Sequence, residues 1–401
     1  MKNEPALARG RRIPAARLLV VTQVALSLPL LLASVLFITT LNRLRHQDLG
    51  YRPESLLIAG VDLDQGFPAG APMLTALRDL QDRVSALPGV ISASISDRIV
   101  FGRGAWSEPV YAQGRESPVQ SNLQFIAPNF FETMRTPLLL GRAFTARDDG
   151  SSPKVAIIDQ ALAGRLYPDT SAIGKRLGWK PGGPFDVEIV GVVPDLKKTL
   201  RDNAPPFVFM PLMQPQTSPY GRPNTSATLL IRTNGDPAGL IEPIRREIPA
   251  FGARPGLFRT YEGLIDDSLR QERMLAEISG FFGAAGLLLA AVGLYGLMAY
   301  VVSRRTGEMG IRMALGARPG DLICMIVGES ATLVAGGVIA GTALAIVTTR
   351  LIEALLFDVK PADPVMIAIA ATLLVAVGLV AAWVPALRAS RVSPMAALRH
   401  E

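Results

Sequence analysis

Residues 18–42 read LLVVTQVALSLPLLLASVLFITTLN, 25 residues without one charge. At about 1.5 Å per residue, some 20 apolar residues in a helix cross a hydrocarbon layer of roughly 30 Å. A core helix of a water-soluble protein rarely stays uncharged for so long. Working outward, three more uncharged runs of at least 20 residues occur at 278–303, 330–349 and 364–387. The chain therefore reads as four membrane spans: 18–42, 278–303, 322–349 and 364–387. The first run is preceded by Arg9, Arg11, Arg12 and Arg17, which invites comparison with a secretory signal. It exceeds the apolar region of such signals, about 7–15 residues, and no small-x-small cleavage site follows it closely, so it reads as an uncleaved anchor.

The composition agrees: 49% of the 401 residues are hydrophobic and the mean hydropathy is +0.31. The net charge of +7 is placed as a membrane protein places it. Lys2 and the four arginines precede the first span; Arg304, Arg305, Arg312 and Arg318 lie between the second and third; Arg388, Arg391 and Arg399 follow the fourth. The loop between the third and fourth spans is more acidic, with Glu353, Asp358 and Asp363 against Arg350 and Lys360. The positive-inside rule then assigns the N-terminal segment 1–17, the loop 304–321 and the tail 388–401 to the cytoplasm. Residues 43–272 form a large external domain and 350–363 a short external loop. No basic stripe interleaved with aromatics points to nucleic acid. Cys324 is the only cysteine, so the external domain holds together by its core and not by disulfides. His46 and His400 stand far apart without ligand spacing, and neither a metal nor a cofactor is expected.

The external domain reads as α+β. Strand-like SLLIAGVDL (55–63), a helical pattern over 71–87 closed by Pro88-Gly89, and strand-like VISASIS (90–96) make one βαβ unit. ATLLIRT (227–233), PAGLIEPIRREI (237–248) and GLFRTY (256–261) make a second. Together they predict a ferredoxin-like split βαβ subdomain from 50–110 and 221–261. An inserted mixed α/β subdomain occupies 111–220, with strands at KVAIID (154–159) and VEIVGVV (187–193). DTSAIGKR (169–176) is a poor phosphate loop, since the first glycine is missing and Arg176 stands where Ser or Thr is needed. Asp148, Asp149, Asp195 and Asp202 read as turn and capping residues before catalytic or calcium-binding ones. No Ser/His/Asp or Cys/His set is available, and no enzyme activity is expected.

No proline interrupts 256–318, so residues 262–303 are expected to run as a single helix of about 63 Å. Its charged first part, 262–277, stands in water as a stalk. Two readings remain: a rigid lever, or a juxtamembrane helix without mechanical role. Within the spans, Gly283, Gly286, Gly293 and Gly296 and the pair Gly337 and Gly341 allow close helix approach. Pro29 is expected to kink the first span. Glu329 is an acidic residue well into an apolar stretch, either a functional intramembrane carboxylate or a partner for an arginine near the interface.

Between the second and third spans lies RRTGEMGIRMALGA, residues 304–317. Arg305, Glu308 and Arg312 fall at i, i+3 and i+7 on one helical face, and Glu308 precedes Arg312 by four. Gly316 suits a helix C-cap, Pro319 stops the helix, and Asp321 suits the cap of the third span. This is a short amphipathic cytoplasmic helix, read either as a headgroup-satisfying loop or as a docking knob.

RRTGEMGIRMALGARPGDLI resembles the loop after the second span in MacB/FtsX-type ABC transporter permeases. NFFETMRTPLLLGRAFTARD (129–148), AIIDQALAGRLYPDTSAIGKRL (156–177), EIVGVVPDLKK (188–198) and PALRASRVSPMAALRHE (385–401) resemble other parts of the same family. The nearest likeness is to one half of its duplicated orphan permeases. The resemblance implies dimer formation with a second permease half, identical or not. It also implies a separate cytoplasmic ABC ATPase whose work reaches the external domain mechanically, in a bacterial inner membrane. A periplasmic adaptor and an outer-membrane channel are further implied partners. The implied ATPase-docking residues are Arg305, Glu308, Gly310, Ile311, Arg312, Leu315, Gly316 and Ala317. No Walker motif occurs in these residues. The expected function is export or membrane extraction of an amphiphilic or hydrophobic substrate. The alternative is a signal relay that activates or senses a periplasmic partner such as a hydrolase.

Overall fold

A computed structural model describes residues 12–63, 71–102, 106–115, 117–201, 205–214, 226–352, 357 and 363–390. Residues 1–11, Asp202, most of the loop 350–363 and the tail from 391, including His400, lie outside the described residues. What is described falls into two compact units, Gln47–Ser268 and the residues before and after it.

The helical unit begins with α1 (Arg12–Arg45), which continues through Pro29. The outer unit opens with β1 (Leu56–Leu63), α2 (Ala71–Ser85) and β2 (Val90–Ser96). Next come β3 (Trp106–Ala112), β4 (Val119–Ile126), α3 (Phe130–Met134) and β5 (Leu140–Gly141). β6 (Val155–Asp159), α4 (Gln160–Leu166), β7 (Arg176–Gly178), β8 (Val187–Val193) and β9 (Phe207–Pro211) follow. β10 (Ser226–Thr233), α5 (Ile241–Glu247), β11 (Ala253–Thr260) and α6 (Tyr261–Ser268) complete it.

The two βαβ units interleave as the sequence predicts. The strand order is β11-β1-β10-β2, every neighbour antiparallel. Alternation decides which face is apolar. Leu57, Ala59 and Val61 of β1, Ala93 and Ile95 of β2, and Leu229 and Ile231 of β10 enter one buried core. Leu74, Leu77, Leu80 and Val84 recur along α2 at helical spacing and seal that core with Ile244 of α5. Gly89, at φ +92°, makes the turn from α2 into β2, where a side chain would be strained.

The inserted part is more ordered than a mixed α/β reading foresees. β4 pairs β3, β3 pairs β7, β7 pairs β8, β8 pairs β6, β6 pairs β9, and β9 returns to β4. Six strands thus close on themselves, with β6–β8 and β4–β9 the parallel pairs. Closure removes the free edges that a small sheet would otherwise expose. Leu162 and Leu166 of α4 share a core with Ala156, Ile158, Val187 and Ile189 of these strands. On the other side of β9, Phe207 stacks on Phe209, and Phe209 meets Phe130 and Phe131 of α3.

The expected continuous helix over 262–303 is broken. α6 ends at Ser268, Leu269 takes φ −92° and ψ 4°, and α7 (Arg270–Arg304) starts anew. No proline or glycine marks the break; the sequence carries no local signal for it. α8 (Thr306–Ala314), α9 (Pro319–Ile352) and α10 (Pro364–Ser390) complete the helical unit. Four helices, Ala15–Arg45, Arg270–Arg304, Pro319–Thr348 and Pro364–Arg388, are long and apolar enough to cross a membrane. α1 is the most enclosed of the four, with Val24, Leu28, Leu32 and Leu36 buried among its neighbours.

Candidate functional site

α8 is a nine-residue helix held at both ends by hydrogen bonds. At its start the Thr306 hydroxyl donates to the carbonyls of Val302 and Ser303, 3.0 and 2.9 Å away. At its end Gly316 takes φ +97°, the left-handed conformation that glycine adopts without cost. The Gly316 N–H donates to Met313 O and the Ala317 N–H to Arg312 O, both at 3.0 Å, the two bonds of a Schellman motif. Pro319 occupies the first position of α9, where a missing N–H costs nothing. Asp321, read from sequence as the cap, stands at the third position and accepts the Arg318 N–H at 3.0 Å, half of a capping box.

The faces of α8 are sharply divided. Met309 is buried and Met313 half-buried against the four-helix core. Ile311 is 52% exposed and Leu315 84% exposed, with Glu308 and Arg312 beside them. Glu308 and Arg312 form an ion pair at 3.0 Å. An exposed pair at this spacing contributes only a few tenths of a kcal/mol, so its placement matters more than its strength. Arg305 does not share their face. It precedes α8 and reaches Glu329 at 3.2 Å instead.

Glu329 sits in α9 and accepts two arginines, Arg305 after α7 and Arg17 on α1. One carboxylate thus ties three elements of the bundle. Arg17 is a residue that sequence reasoning counted only as positive charge. Its partner is 312 positions away, and no local pattern announces such a pair.

The small residues divide as well. A Cβ on Gly337 would stand 2.6 Å from Val24 Cβ, and one on Gly341 2.9 Å from Leu28 Cβ. Here α9 presses directly on α1. Gly286 lies against Ser27, whose hydroxyl donates to Gly286 O at 2.9 Å, and Gly293 lies against Gln23. Among the described residues, a Cβ on Gly296 would meet nothing within 4 Å.

In the outer unit the remaining candidates are used up structurally. In the stretch 169–176, the Gly174 N–H bonds Ile189 O and the Lys175 N–H bonds Ala172 O, which leaves these amides unable to cradle a phosphate. Asp148 is half of a bidentate pair with Arg142, at 2.8 Å on each arm, and also accepts the Thr145 N–H. Burial would raise its pKa, but these donors outweigh it and hold the carboxyl below its ordinary range. Asp149 accepts Ser151, and Asp195 accepts the Ala161 N–H at 2.6 Å. Asp159 caps α4 through Leu162 N–H and takes Phe207 N–H; burial pushes it up to about 7. His46, in the helical unit just after α1, sits 2.8 Å from Asn42 O.

The chain is similar to known proteins over most of its length. The MacB-like periplasmic core domain family matches residues 18–247, and the FtsX-like permease C-terminal family matches 280–394. The macrolide export ATP-binding/permease protein MacB of Marinobacter nauticus is 26% identical over 66% of this chain and 41% of its own length. The pyoverdine export ATP-binding/permease protein PvdT of Pseudomonas aeruginosa is 27% identical over 68% of this chain and 41% of its own. The chain thus spans about two-fifths of the length of these relatives. The periplasmic region of MacB from Actinobacillus actinomycetemcomitans aligns with 57% of this chain and 98% of its own, at a TM-score of 0.39 and 13% identity. With one family match running from α1 through most of the outer unit and the other covering the later membrane helices, the chain belongs to the MacB/FtsX-type permease family, as an inner-membrane multi-pass protein with a periplasmic domain.

Proposed function

We propose that the chain is the permease module of an ABC-type exporter that works by mechanotransmission. ATP is bound and hydrolysed by an ATPase domain outside these 401 residues, which docks on α8 from the cytoplasm. Both termini share that side, as the distribution of Lys and Arg supports. The observation that carries the reading is the division of α8. Met309 and Met313 fix the helix to the bundle, while Ile311 and Leu315 are left uncovered on a rigidly capped knob. An apolar surface of this kind costs free energy in water and gains it by insertion into a partner's groove. Glu308, Gly310, Arg312, Gly316 and Ala317 shape the same knob, and Arg305 with Glu329 carries its displacement to α1.

The cargo is amphiphilic or hydrophobic. The runs 330–349 and 364–387 contain no ionisable group that would solvate a charged solute, and the name of one relative describes export of a macrolide. The bundle pairs with a second permease half, identical or not, through lipid-facing residues such as Phe281, Leu288 and Val292. A periplasmic adaptor and an outer-membrane channel complete the path.

Mild-detergent purification with mass spectrometry of the bound proteins tests the docking. Wild type retains an ABC ATPase. Leu315→Asp, and Glu308→Arg combined with Arg312→Glu, reduce its recovery at least tenfold while membrane insertion stays normal. Undiminished capture by both variants refutes the docking role. ATP-driven activation of a bound hydrolase without release of cargo would select the signal-relay alternative.

A further inference from the structure

The chain enters the outer unit at residues 47–55 and leaves it along α6, and both connections are fastened at one place. Tyr51, on the way in, and Tyr261, the first residue of α6, are buried and meet edge to face, with centroids 5.3 Å apart and planes at 67°. Such a contact orients two rings as well as burying them. Each phenol is also bonded to a different part of the domain. Tyr51 donates to Lys197 O at 3.2 Å, just beyond β8 of the closed ring. Tyr261 accepts the Phe101 N–H at 3.2 Å, on the stretch that leads from β2 towards that ring.

The incoming segment has no slack. Leu49 O accepts the Lys197 N–H at 2.9 Å, Gly50 O accepts the Thr136 hydroxyl at 3.1 Å, and Met134 O accepts the Arg52 N–H at 3.0 Å. Gly50 has φ +78°, and a Cβ there would overlap Asp195 O. Beneath lies Arg232 of β10, 2% exposed. Its guanidinium donates to three main-chain carbonyls, Thr133, Glu54 and Arg52, each at 2.6 Å. A buried guanidinium spent on carbonyls and not on a carboxylate is a costly choice for stability alone, since desolvating the charge is expensive. What it supplies is geometry: a planar fork that sets the incoming strand, α3 and the central sheet in one register.

We propose that Tyr51, Tyr261 and Arg232 form a mechanical junction, at which displacement of either chain connection to the membrane helices is delivered at once to the four-stranded sheet and to the closed ring. The proposal builds on the mechanotransmission reading and adds the positioning residues that such a device requires in the outer unit. Without them, motion of a helix would be absorbed in the linker. With them, residues 49–52, 133–136, 195–198 and 261 move as one body.

The test uses the full-length protein in lipid nanodiscs, in a Cys324→Ser background, with nitroxides at Arg52→Cys and Glu262→Cys. The unmodified junction gives one narrow distance distribution. Tyr51→Leu and Tyr261→Leu each widen it at least twofold, and in the same variants without the two label cysteines the amides of Arg52 and Lys197 exchange at least tenfold faster. The amides of Ile58 and Leu230, in the sheet, keep their protection in both variants. Unchanged width and exchange in both variants overturns the junction. So does loss of protection spreading to Ile58 and Leu230, since the tyrosines would then merely hold the fold. No ATPase is needed for this measurement, so failure to capture one counts against the proposed function alone.

Discussion

Where α9 crosses α1, the contact is made by what glycine lacks: Gly337 and Gly341 let Val24 and Leu28 come within the space of a methyl group. Where β1 meets β10, the contact is made by Leu57, Leu229 and Ile231, all fully buried. The difference follows from the solvent. In water, burial of apolar surface stabilises by roughly 25 cal/mol per Å², so the outer unit gains from large side chains. In lipid that driving force between helices is absent, and stability comes from close approach and a few polar ties such as Ser27 to Gly286 O. The two units should therefore break in opposite ways, one when atoms are removed and the other when they are added.

The largest effect is expected in the outer unit. Phe209→Ala empties the centre of the Phe130, Phe131 and Phe207 cluster and should cost about 3–5 kcal/mol. Calorimetry of the full-length protein would register this as a lowered first transition, with the membrane helices still protected from protease. Next is Gly337→Val, which overpacks α9 on α1 and should cost about 1–3 kcal/mol. Gly336→Val, at a glycine of the same helix with no described atom within 4 Å of its added Cβ, is the matched control and should stay within about 0.5 kcal/mol. Equal losses at both glycines, measured by unfolding in mixed micelles, would erase the contrast between the units.

A third expectation concerns pH and belongs to the outer unit alone. Asp159 is raised by burial to about 7, well above its value of about 3.9 in an unfolded chain. A raised carboxyl contributes stability at low pH that is lost as pH climbs through the folded value. Between pH 6 and pH 8 the outer unit should lose about 1 kcal/mol from this group, and Asp159→Asn should flatten that slope in a pH series of melting temperatures. The smallest effect on stability is Glu329→Gln. Its partners are part exposed, so the loss should not exceed about 1 kcal/mol.

How much of this was legible in the chain depended on range. The spans follow from runs of uncharged residues, and the sheet order β11-β1-β10-β2 follows from two βαβ patterns and the handedness rules that fold them together. The Schellman turn at Gly316 is written in four adjacent residues. By contrast, closure of the ring rests on β4 pairing β9, some 85 residues on, a register that only tertiary packing sets. The union of Arg17 with Glu329 and the three carbonyls gathered by Arg232 are invisible for the same reason. The break at Leu269 has no residue type that would announce it, and Arg305 leaves the face its spacing predicts because α8 begins one residue later, at Thr306.

Only Leu315 to Arg318 separates α8 from α9, and each of Gly316, Ala317 and Arg318 is fastened by its own amide. A joint fastened amide by amide resists bending. A push on the exposed Leu315 side chain would then be passed on as torque about the axis of α9, turning the shaft instead of bending the crank, and Glu329 is bolted to that shaft nearly three turns along.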